Sequence, residues 1–364
     1  MNAPRSRSDA LDSIDTWLIE AARAGASDLH LVVAHPPTLR VHGRLEPLRP
    51  APLDADEARA ALESVCPRGA FATFLEARNL DFALQREIDG RSRRFRANFF
   101  CGGDAVGACF RVIPDGIPEF AWAGFPRDIA ERLASFRNGL VLFSGVAGAG
   151  KSTSLAMIIN LFNARGGVRI VTIEEPIEYV FPVSSSSMIS QREVGRDVAT
   201  FADGLKYGLR QNPDVFLVGE IRDRETAQLA LSAAETGHLV FSTLHTRDAK
   251  GAVSRFADLF PQAAQSDIRS QLALSLRAVV SQHLLPSSDP TGKRELALEI
   301  LFASSAVAAA VRLGKLESID TAIQTGRSQG MLPLDESVKR LFLDGRITEE
   351  TARYFMTDIG QLWK

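Results

Sequence analysis

A glycine-rich segment, residues 145–152, constrains this chain more than any other feature. It ends with Lys151 and Ser152 and matches the whole pattern G-x-x-x-x-G-K-[ST]. The short apolar run 139–144 precedes it, and a pattern with helical spacing follows it over 153–163. This strand, loop and helix context is the one in which the pattern binds phosphate. The segment therefore predicts a nucleoside triphosphate site.

The chemistry of this segment, called the phosphate loop below, assigns roles to its residues. Backbone N–H groups of such a loop point at phosphate oxygens, and the positive amino-terminal end of the next helix adds to the attraction. We expect the Lys151 ammonium to reach the β- and γ-phosphates and the Ser152 hydroxyl to hold Mg²⁺. ATP and Mg²⁺ are therefore the predicted cofactors. The residues expected to contact the nucleotide are Gly145, Val146, Ala147, Gly148, Ala149, Gly150, Lys151, Ser152 and Thr153.

Composition limits the class of protein. The chain has 364 residues, enough for about two or three domains, and 45% are hydrophobic, as in a globular protein with a core. The net charge of −2 gives no basic field that would attract nucleic acid. Cys66, Cys101 and Cys109 have no C-x-x-C spacing, which argues against a zinc site or a disulfide framework.

Membrane and export signals are not evident in the sequence. The chain has no apolar run of the ~18 residues that a membrane-spanning helix needs. Its polar start is not followed by the apolar core of a secretory signal. We therefore expect a cytoplasmic protein that reaches a membrane only through its partners.

The spacing of apolar residues predicts two domains joined by a linker. Residues 1–10 are predicted to be disordered, and 11–113 to form a mixed α+β domain. Residues 114–118 are rich in turn-forming residues, as is typical of an interdomain linker. From 119 to 303, strand-like runs alternate with helical ones, which predicts an α/β fold with a largely parallel sheet. Residues 304–364 are predicted to be helical.

Two acidic segments follow predicted strands of this second domain. Glu220 ends the apolar run 215–218, where an acid can bind Mg²⁺ or polarise the attacking water. Three acids lie within residues 174–178, and acids this dense repel one another unless a cation lies among them. A solvated loop is the alternative, since charge runs usually face water. Our candidate for a general base is Glu178.

Histidines and arginines extend the candidate site. His238 and His245 flank one predicted strand and lack the short spacing of metal ligands. Both could be structural. The functional alternative is that His238 senses the γ-phosphate and His245 contacts another subunit. Phosphoryl transfer often uses an arginine supplied by a neighbour. Arg94, Arg96 and Arg111 of the first domain could serve, or could equally solvate a strand face.

Several segments resemble the secretion-ATPase superfamily, and within it the PilT-type retraction motors of bacterial type IV pili. The phosphate loop and residues 173–178, 218–223 and 233–238 are similar to its Walker A, Asp box, Walker B and His box, in that order. Further similar segments extend the resemblance over roughly residues 11–345: 27–31, 94–98, 110–114, 191–195 and 323–326.

This resemblance implies a PAS-like amino-terminal domain followed by a RecA-like ATPase domain, assembled as a homo-hexameric ring with ATP between the two domains. It implies a motor for pilus retraction and twitching motility, peripheral to the inner membrane. Its partners would be the inner-membrane pilus platform protein, other pilus machinery and a paralogous retraction ATPase. No direct contact with nucleic acid is expected.

The resemblance also implies roles for the remaining site residues. Glu178 matches the catalytic acid, and Glu220 matches the Walker B acid that acts with Ser152 at the metal. His238 falls in the His box. Arg96 and Arg111 match positions expected to contact the γ-phosphate.

Two departures from the family pattern leave alternatives open. Glu175 stands where the Asp box usually has aspartate, and the segment 306–315 retains only Arg312 of a motif typical of retraction motors. The chain could therefore be an accessory or regulatory paralogue that binds ATP and hydrolyses it slowly. A secretion or conjugation ATPase of the same superfamily is the other alternative.

Overall fold

The computed structural model describes residues 7–41, 43–114, 116–289 and 293–363. Within them the chain forms two compact units, Met1–Asp115 and Gly116–Lys364. The division falls inside the segment that the sequence analysis assigns to a linker. Each unit has its own hydrophobic core.

The amino-terminal unit is an antiparallel sheet with helices packed against it. Its elements are α1 (Arg7–Arg23), β1 (Asp28–Leu31), β2 (Thr38–Val41), β3 (Arg44–Pro47), α2 (Ala55–Val65), α3 (Ala70–Ala77), β4 (Asn79–Ile88), β5 (Arg91–Gly102) and β6 (Ala105–Val112). The strand order is β3-β2-β1-β6-β5-β4, and every neighbouring pair is antiparallel. Phe99 makes edge-to-face contacts with Phe74 and Phe110 in the core.

The start of this unit differs in part from the sequence prediction. Residues 1–6 of the predicted disordered start lie outside the described residues, whereas 7–10 belong to α1. Lengthening a helix costs little once its first turn has formed, so α1 can begin at Arg7, upstream of the apolar pattern. The Asp54 side chain caps the start of α2, because it accepts a hydrogen bond from the Glu57 N–H at 2.7 Å.

The carboxy-terminal unit has the predicted α/β fold. Its elements are α4 (Phe120–Ala123), α5 (Arg127–Leu133), β7 (Gly139–Ser144), α6 (Lys151–Arg165), β8 (Arg169–Glu174), β9 (Met188–Glu193), α7 (Phe201–Gly208), β10 (Val215–Val218), α8 (Arg224–Glu235), β11 (Leu239–Leu244), α9 (Ala249–Asp258), α10 (Gln265–Ser275), β12 (Leu276–Leu285), β13 (Glu295–Phe302), α11 (Ser305–Leu313), α12 (Glu317–Thr325), α13 (Leu334–Leu343) and α14 (Glu349–Phe355). The strand order is β13-β12-β7-β11-β10-β8-β9.

This sheet is parallel except for β13, which pairs antiparallel with β12. Every residue of β7, β10 and β11 is buried, because helices cover both faces of a parallel sheet; such strands read as unbroken apolar runs. Parallel strands bring their carboxyl ends to one edge. The segments that follow β7, β11, β10 and β8 therefore lie side by side, and these segments carry the candidate site.

A buried acid joins β13 to the start of α9. Glu299 Oε1 accepts a hydrogen bond from the Ala249 N–H at 2.7 Å. Burial raises the pKa of Glu299 to about 7, and the Asp248 and Asp320 charges act in the same direction, against the Ala249 hydrogen bond and the Lys250 charge. Glu299 therefore keeps its proton at pH values where an exposed glutamate has lost it.

Glu299→Gln is expected to stabilise the protein above pH 7 and to leave it unchanged near pH 4. The folded-state pKa lies above the ordinary 4.5, so the free energy of unfolding falls as pH rises from 4.5 to 7, because only the unfolded chain releases the proton. The penalty above pH 7 reaches about 3 kcal/mol, and glutamine removes it. Thermal unfolding at pH 4.5 and 8.5 measures this, with exposed Glu317→Gln as control. An equal effect at both pH values would contradict the expectation.

Candidate nucleotide site

The phosphate loop connects β7 to α6 in a backbone conformation that requires glycine. The φ angle is +146° at Gly145, +75° at Gly148 and +85° at Gly150, values that side chains disfavour. A Cβ atom at Gly145 would also lie 2.6 Å from the backbone oxygen of Gln282 on β12. The loop therefore passes so close to β12 that its first residue has no room for a side chain.

Lys151 is buried at the start of α6, with 8% of its surface exposed. Its Nζ donates hydrogen bonds to the backbone oxygens of Gly145, at 2.6 Å, and Val146, at 3.1 Å. Burial lowers the pKa of Lys151, and the Glu220 and Glu178 charges oppose this shift, in that order of size. The structure thus brings together three residues that the sequence analysis selected from three separate segments.

Polar residues of β12 support the phosphate loop from behind. Gln282 is fully buried and donates a hydrogen bond from Nε2 to the Ser154 hydroxyl of α6 at 2.9 Å. Ser144, the last residue of β7, donates to the Ser281 hydroxyl at 2.7 Å. These contacts fix the strand before the loop and the helix after it. Sequence reasoning missed them, because β12 was not recognised as a strand.

The acidic loop, residues 175–179, follows β8 and is held against α6 and β9. The Tyr179 and Thr153 hydroxyl oxygens lie 2.9 Å apart, which places the half-buried Glu178 beside the first turn of α6. Gln191 of β9 donates a hydrogen bond from Nε2 to the Tyr179 backbone oxygen at 2.8 Å. Glu193 accepts one from the Ile177 N–H at 3.0 Å. The loop is therefore fastened at several points.

Glu220 follows β10 and is 9% exposed. Its Oε2 lies 3.2 Å from Nε2 of His245, which follows β11. Its Oε1 forms an ion pair with Arg222. Arg222 in turn pairs with Glu175 of the acidic loop at 2.8 Å. Sequence reasoning missed this role for Arg222 and expected a subunit contact from His245. The contact between His245 and Glu220 could have been inferred, because both residues follow parallel strands that lie side by side.

His238 lies at the other end of β11. The strand register pairs Leu239 with Gly139 and Leu244 with Ser144, so His238 is about 20 Å along the strand from the phosphate loop. Its backbone oxygen accepts a hydrogen bond from the Gly139 N–H. The structure therefore does not bring His238 to the γ-phosphate position of its own chain. A γ-phosphate role for His238 would require the nucleotide of another subunit and stays a prediction.

Arg96 and Arg111 lie opposite each other on β5 and β6 of the amino-terminal unit. Arg111 Nε is 3.0 Å from Oδ1 of the buried Asp28, and Arg96 Nε is 3.6 Å from Oδ1 of Asp81. Both guanidinium groups are therefore oriented within that unit by carboxylates. Their contact with a nucleotide stays a prediction.

The donor set at this edge of the sheet fits Mg²⁺. Ser152 has an exposed hydroxyl-bearing side chain in the first turn of α6, and Glu220 supplies a carboxylate after β10. Mg²⁺ prefers oxygen donors and takes few from protein, completing its octahedron with water and phosphate oxygens. Among the described residues there is no group of three or more His, Cys, Asp or Glu side chains that could hold a metal ion.

His245→Ala is expected to lower kcat/KM for ATP by about tenfold, because a residue that orients a metal-site carboxylate has effects of this size. His238→Ala, the matched change at the opposite end of β11, should change kcat/KM by less than about threefold when His238 does not contact the nucleotide of another subunit. Phosphate release with saturating and limiting ATP measures both. The reverse ranking would show that His238 acts at the γ-phosphate and that the His245 contact is incidental.

Comparison with known proteins identifies relatives over nearly the whole chain. The family model described as "Type II/IV secretion system protein" matches residues 122–338. The type IV pilus retraction ATPase PilT of Pseudomonas aeruginosa is 40% identical over 93% of this chain and 97% of its own length. The type IV pilus ATPase PilU of the same organism is 36% identical over 90% of this chain and 84% of its own.

A solved structure of a related protein has the same fold. The crystal structure of the pilus retraction motor PilT with bound ADP superposes with a TM-score of 0.84 and 38% identity, over 96% of this chain and 98% of that one. Separately, no helix among the residues described here is long and apolar enough to cross a membrane.

Proposed function

This chain belongs to the type II/IV secretion system protein family, and we propose that it is a hexameric motor that hydrolyses ATP to retract type IV pili. It is an ATPase of the pilus-retraction type. The observation that carries the proposal is the convergence of buried Lys151 with the Glu178 and Glu220 carboxylates at one edge of the sheet, after β7, β8 and β10. The similarity to retraction ATPases over nearly the full chain supports the same task.

Each site residue has a step that its position suits. Lys151 would exchange its two backbone acceptors for β- and γ-phosphate oxygens, which carry charge and accept more strongly. Ser152 and Glu220 would hold Mg²⁺, which supplies positive charge that stabilises the phosphates when it is bound. Glu178 would take the proton of the attacking water. His245 would keep the Glu220 carboxylate oriented.

The ring and its partners are part of the proposal, and the resemblance to the family supports them. A neighbouring subunit would supply Arg96 and Arg111 to the γ-phosphate, since phosphoryl transfer is accelerated by arginines that arrive in trans. The motor would act at the cytoplasmic face of the inner membrane by contacting the pilus platform protein. A paralogous retraction ATPase is a further partner, and no nucleic acid is involved.

The test of this function is imaging of labelled surface pili in cells that lack the gene. We expect pili to accumulate and to stop shortening, and expect the wild-type gene to restore shortening where a Glu220→Gln copy does not. Unchanged pilus length and shortening in the deletion strain would contradict a role as the main retraction motor.

A second candidate function is an accessory pilus ATPase with slow turnover. Glu175 favours it, because it stands where the family pattern has aspartate. The similarity to PilU is consistent with it. In this case, deletion alone would leave shortening intact, and deletion together with the principal retraction ATPase would be needed to reveal its contribution.

A further inference from the structure

Arg222 bridges two carboxylates that follow neighbouring strands of the sheet. Its Nη1 is 2.8 Å from Oε2 of Glu175, after β8, and its Nη2 pairs with Oε1 of Glu220, after β10. The two strands are hydrogen-bonded neighbours, with Val218 beside Ile173. Burial acts to lower the pKa of Arg222, but hydrogen bonds and charges from Glu220 and Glu175 raise it overall. The Arg222 guanidinium therefore forms ion pairs with both Glu175 and Glu220.

The two acids differ in their access to water. The Glu220 side chain is 11% exposed, whereas that of Glu175 is 38% exposed. A carboxylate as buried as Glu220 is costly to leave without a cation or donors. Here His245 and Arg222 occupy one oxygen each. A cation that binds Glu220 at Oε1 would be repelled by the Arg222 guanidinium that already contacts this oxygen.

We propose that Arg222 is a positioning residue that holds Glu220 until a magnesium nucleotide arrives, and that Glu175 is the anchor onto which Arg222 then withdraws. The inference rests on the proposed ATP site. It adds that Arg222 determines when the Glu220 carboxylate becomes available to the cation. Arg222 and the cation compete for the same oxygen, and Glu175 weakens the hold of Arg222 on Glu220. Glu175 thereby favours loading of the cation.

The length of the Glu175 side chain matters for this role. Aspartate is shorter by one C–C bond, about 1.5 Å. From the observed backbone position, its carboxylate would move from 2.8 Å to beyond hydrogen-bond distance of Arg222. The departure from the family pattern at position 175 thus provides the second anchor.

The test is the Mg²⁺ concentration that gives half-maximal binding of a fluorescent ADP, N-methylanthraniloyl-ADP, to the full-length protein. Arg222→Gln is expected to lower this concentration by about two- to fivefold, the effect of one partly exposed ion pair. Glu175→Gln is expected to raise it by a similar factor, and Glu175→Asp to raise it as well. Exposed Arg224→Gln and Glu225→Gln are the matched charge controls.

The double variant separates the proposal from a general effect of charge. If Glu175 acts through Arg222, the double variant matches Arg222→Gln. If both residues act only by their charge, the opposite effects cancel and the double variant matches the wild type, which overturns the proposal. Shifts in the same direction, or none, also overturn it. Absence of nucleotide binding by the wild type would instead refute the ATP site itself. Circular dichroism confirms that each variant is folded.

Discussion

Glu220→Gln is expected to reduce ATP turnover by at least about 100-fold while leaving the affinity for ATP within about threefold. Removal of a group that acts on the transition state has effects of 100- to 1,000-fold. Glutamine keeps the shape of Glu220 but removes the charge that pairs with Arg222 and faces the Lys151 ammonium. Binding is preserved because the phosphate loop supplies its own donors.

Phosphate release under saturating ATP gives the turnover number, and equilibrium binding of a fluorescent ATP analogue gives the affinity. Glu235→Gln, at the exposed end of α8, is a control for loss of one carboxylate elsewhere in the same unit. Turnover within tenfold of the wild type would remove Glu220 from the catalytic role and leave Glu178 as the only acid assigned to it.

Lys151→Ala is expected to weaken nucleotide binding by about 100-fold or more, because it removes at least one charge-assisted hydrogen bond to phosphate of about 1.5–3 kcal/mol and the attraction of a buried charge. Lys151 is 8% exposed, so its charge is poorly screened. The variant should remain folded, since alanine removes a buried ammonium that burial already disfavours.

Isothermal titration with ADP and Mg²⁺ measures this loss, and thermal unfolding without nucleotide checks the fold. Lys206→Ala on α7 is the control, because Lys206 is exposed. In the wild type, ADP should raise the unfolding temperature, as any ligand specific for the folded state does. The same rise in Lys151→Ala would contradict the assignment.

The sequence predicts the central part of the α/β fold because the relevant signals are local. Each of the segments 139–144, 215–218 and 239–244 is buried on both faces, so it reads as a continuous apolar run. The phosphate loop is a contiguous motif, and the acids follow strands at the same edge. Strand type and strand direction therefore suffice to place Lys151 and Glu220 at the same edge of the sheet.

The sequence analysis did not predict β9 and β12. β9 lies at the edge of the sheet and is half-buried, so its apolar pattern is weak. β12 carries the buried polar residues Ser281 and Gln282, which interrupt its apolar run. Their side chains form hydrogen bonds with Ser144 and Ser154. Such pairs depend on contacts between distant segments, and no local spacing encodes them.

The histidines illustrate the same limit. A motif locates His238 and His245 along the chain, but only the direction of β11 decides which of them reaches the phosphate-loop edge. The pairing of Arg222 with two acids likewise depends on β8 lying beside β10. The sequence identifies the histidines, the arginine and the acids, but which of them are neighbours depends on the order of the strands in the sheet.

The close approach of Gly145 to β12 has a consequence for how this site tolerates mutation. A side chain at Gly145 would clash with the backbone of β12 at Gln282, so we expect substitutions there to disturb the phosphate loop. Glu175 is exposed, and a change there leaves the core intact. Substitutions at position 175 can therefore change how Arg222 holds Glu220, whereas the conformation of the phosphate loop stays the same. Among related chains, we expect sequence changes to alter when ATP is hydrolysed more readily than which nucleotide is bound.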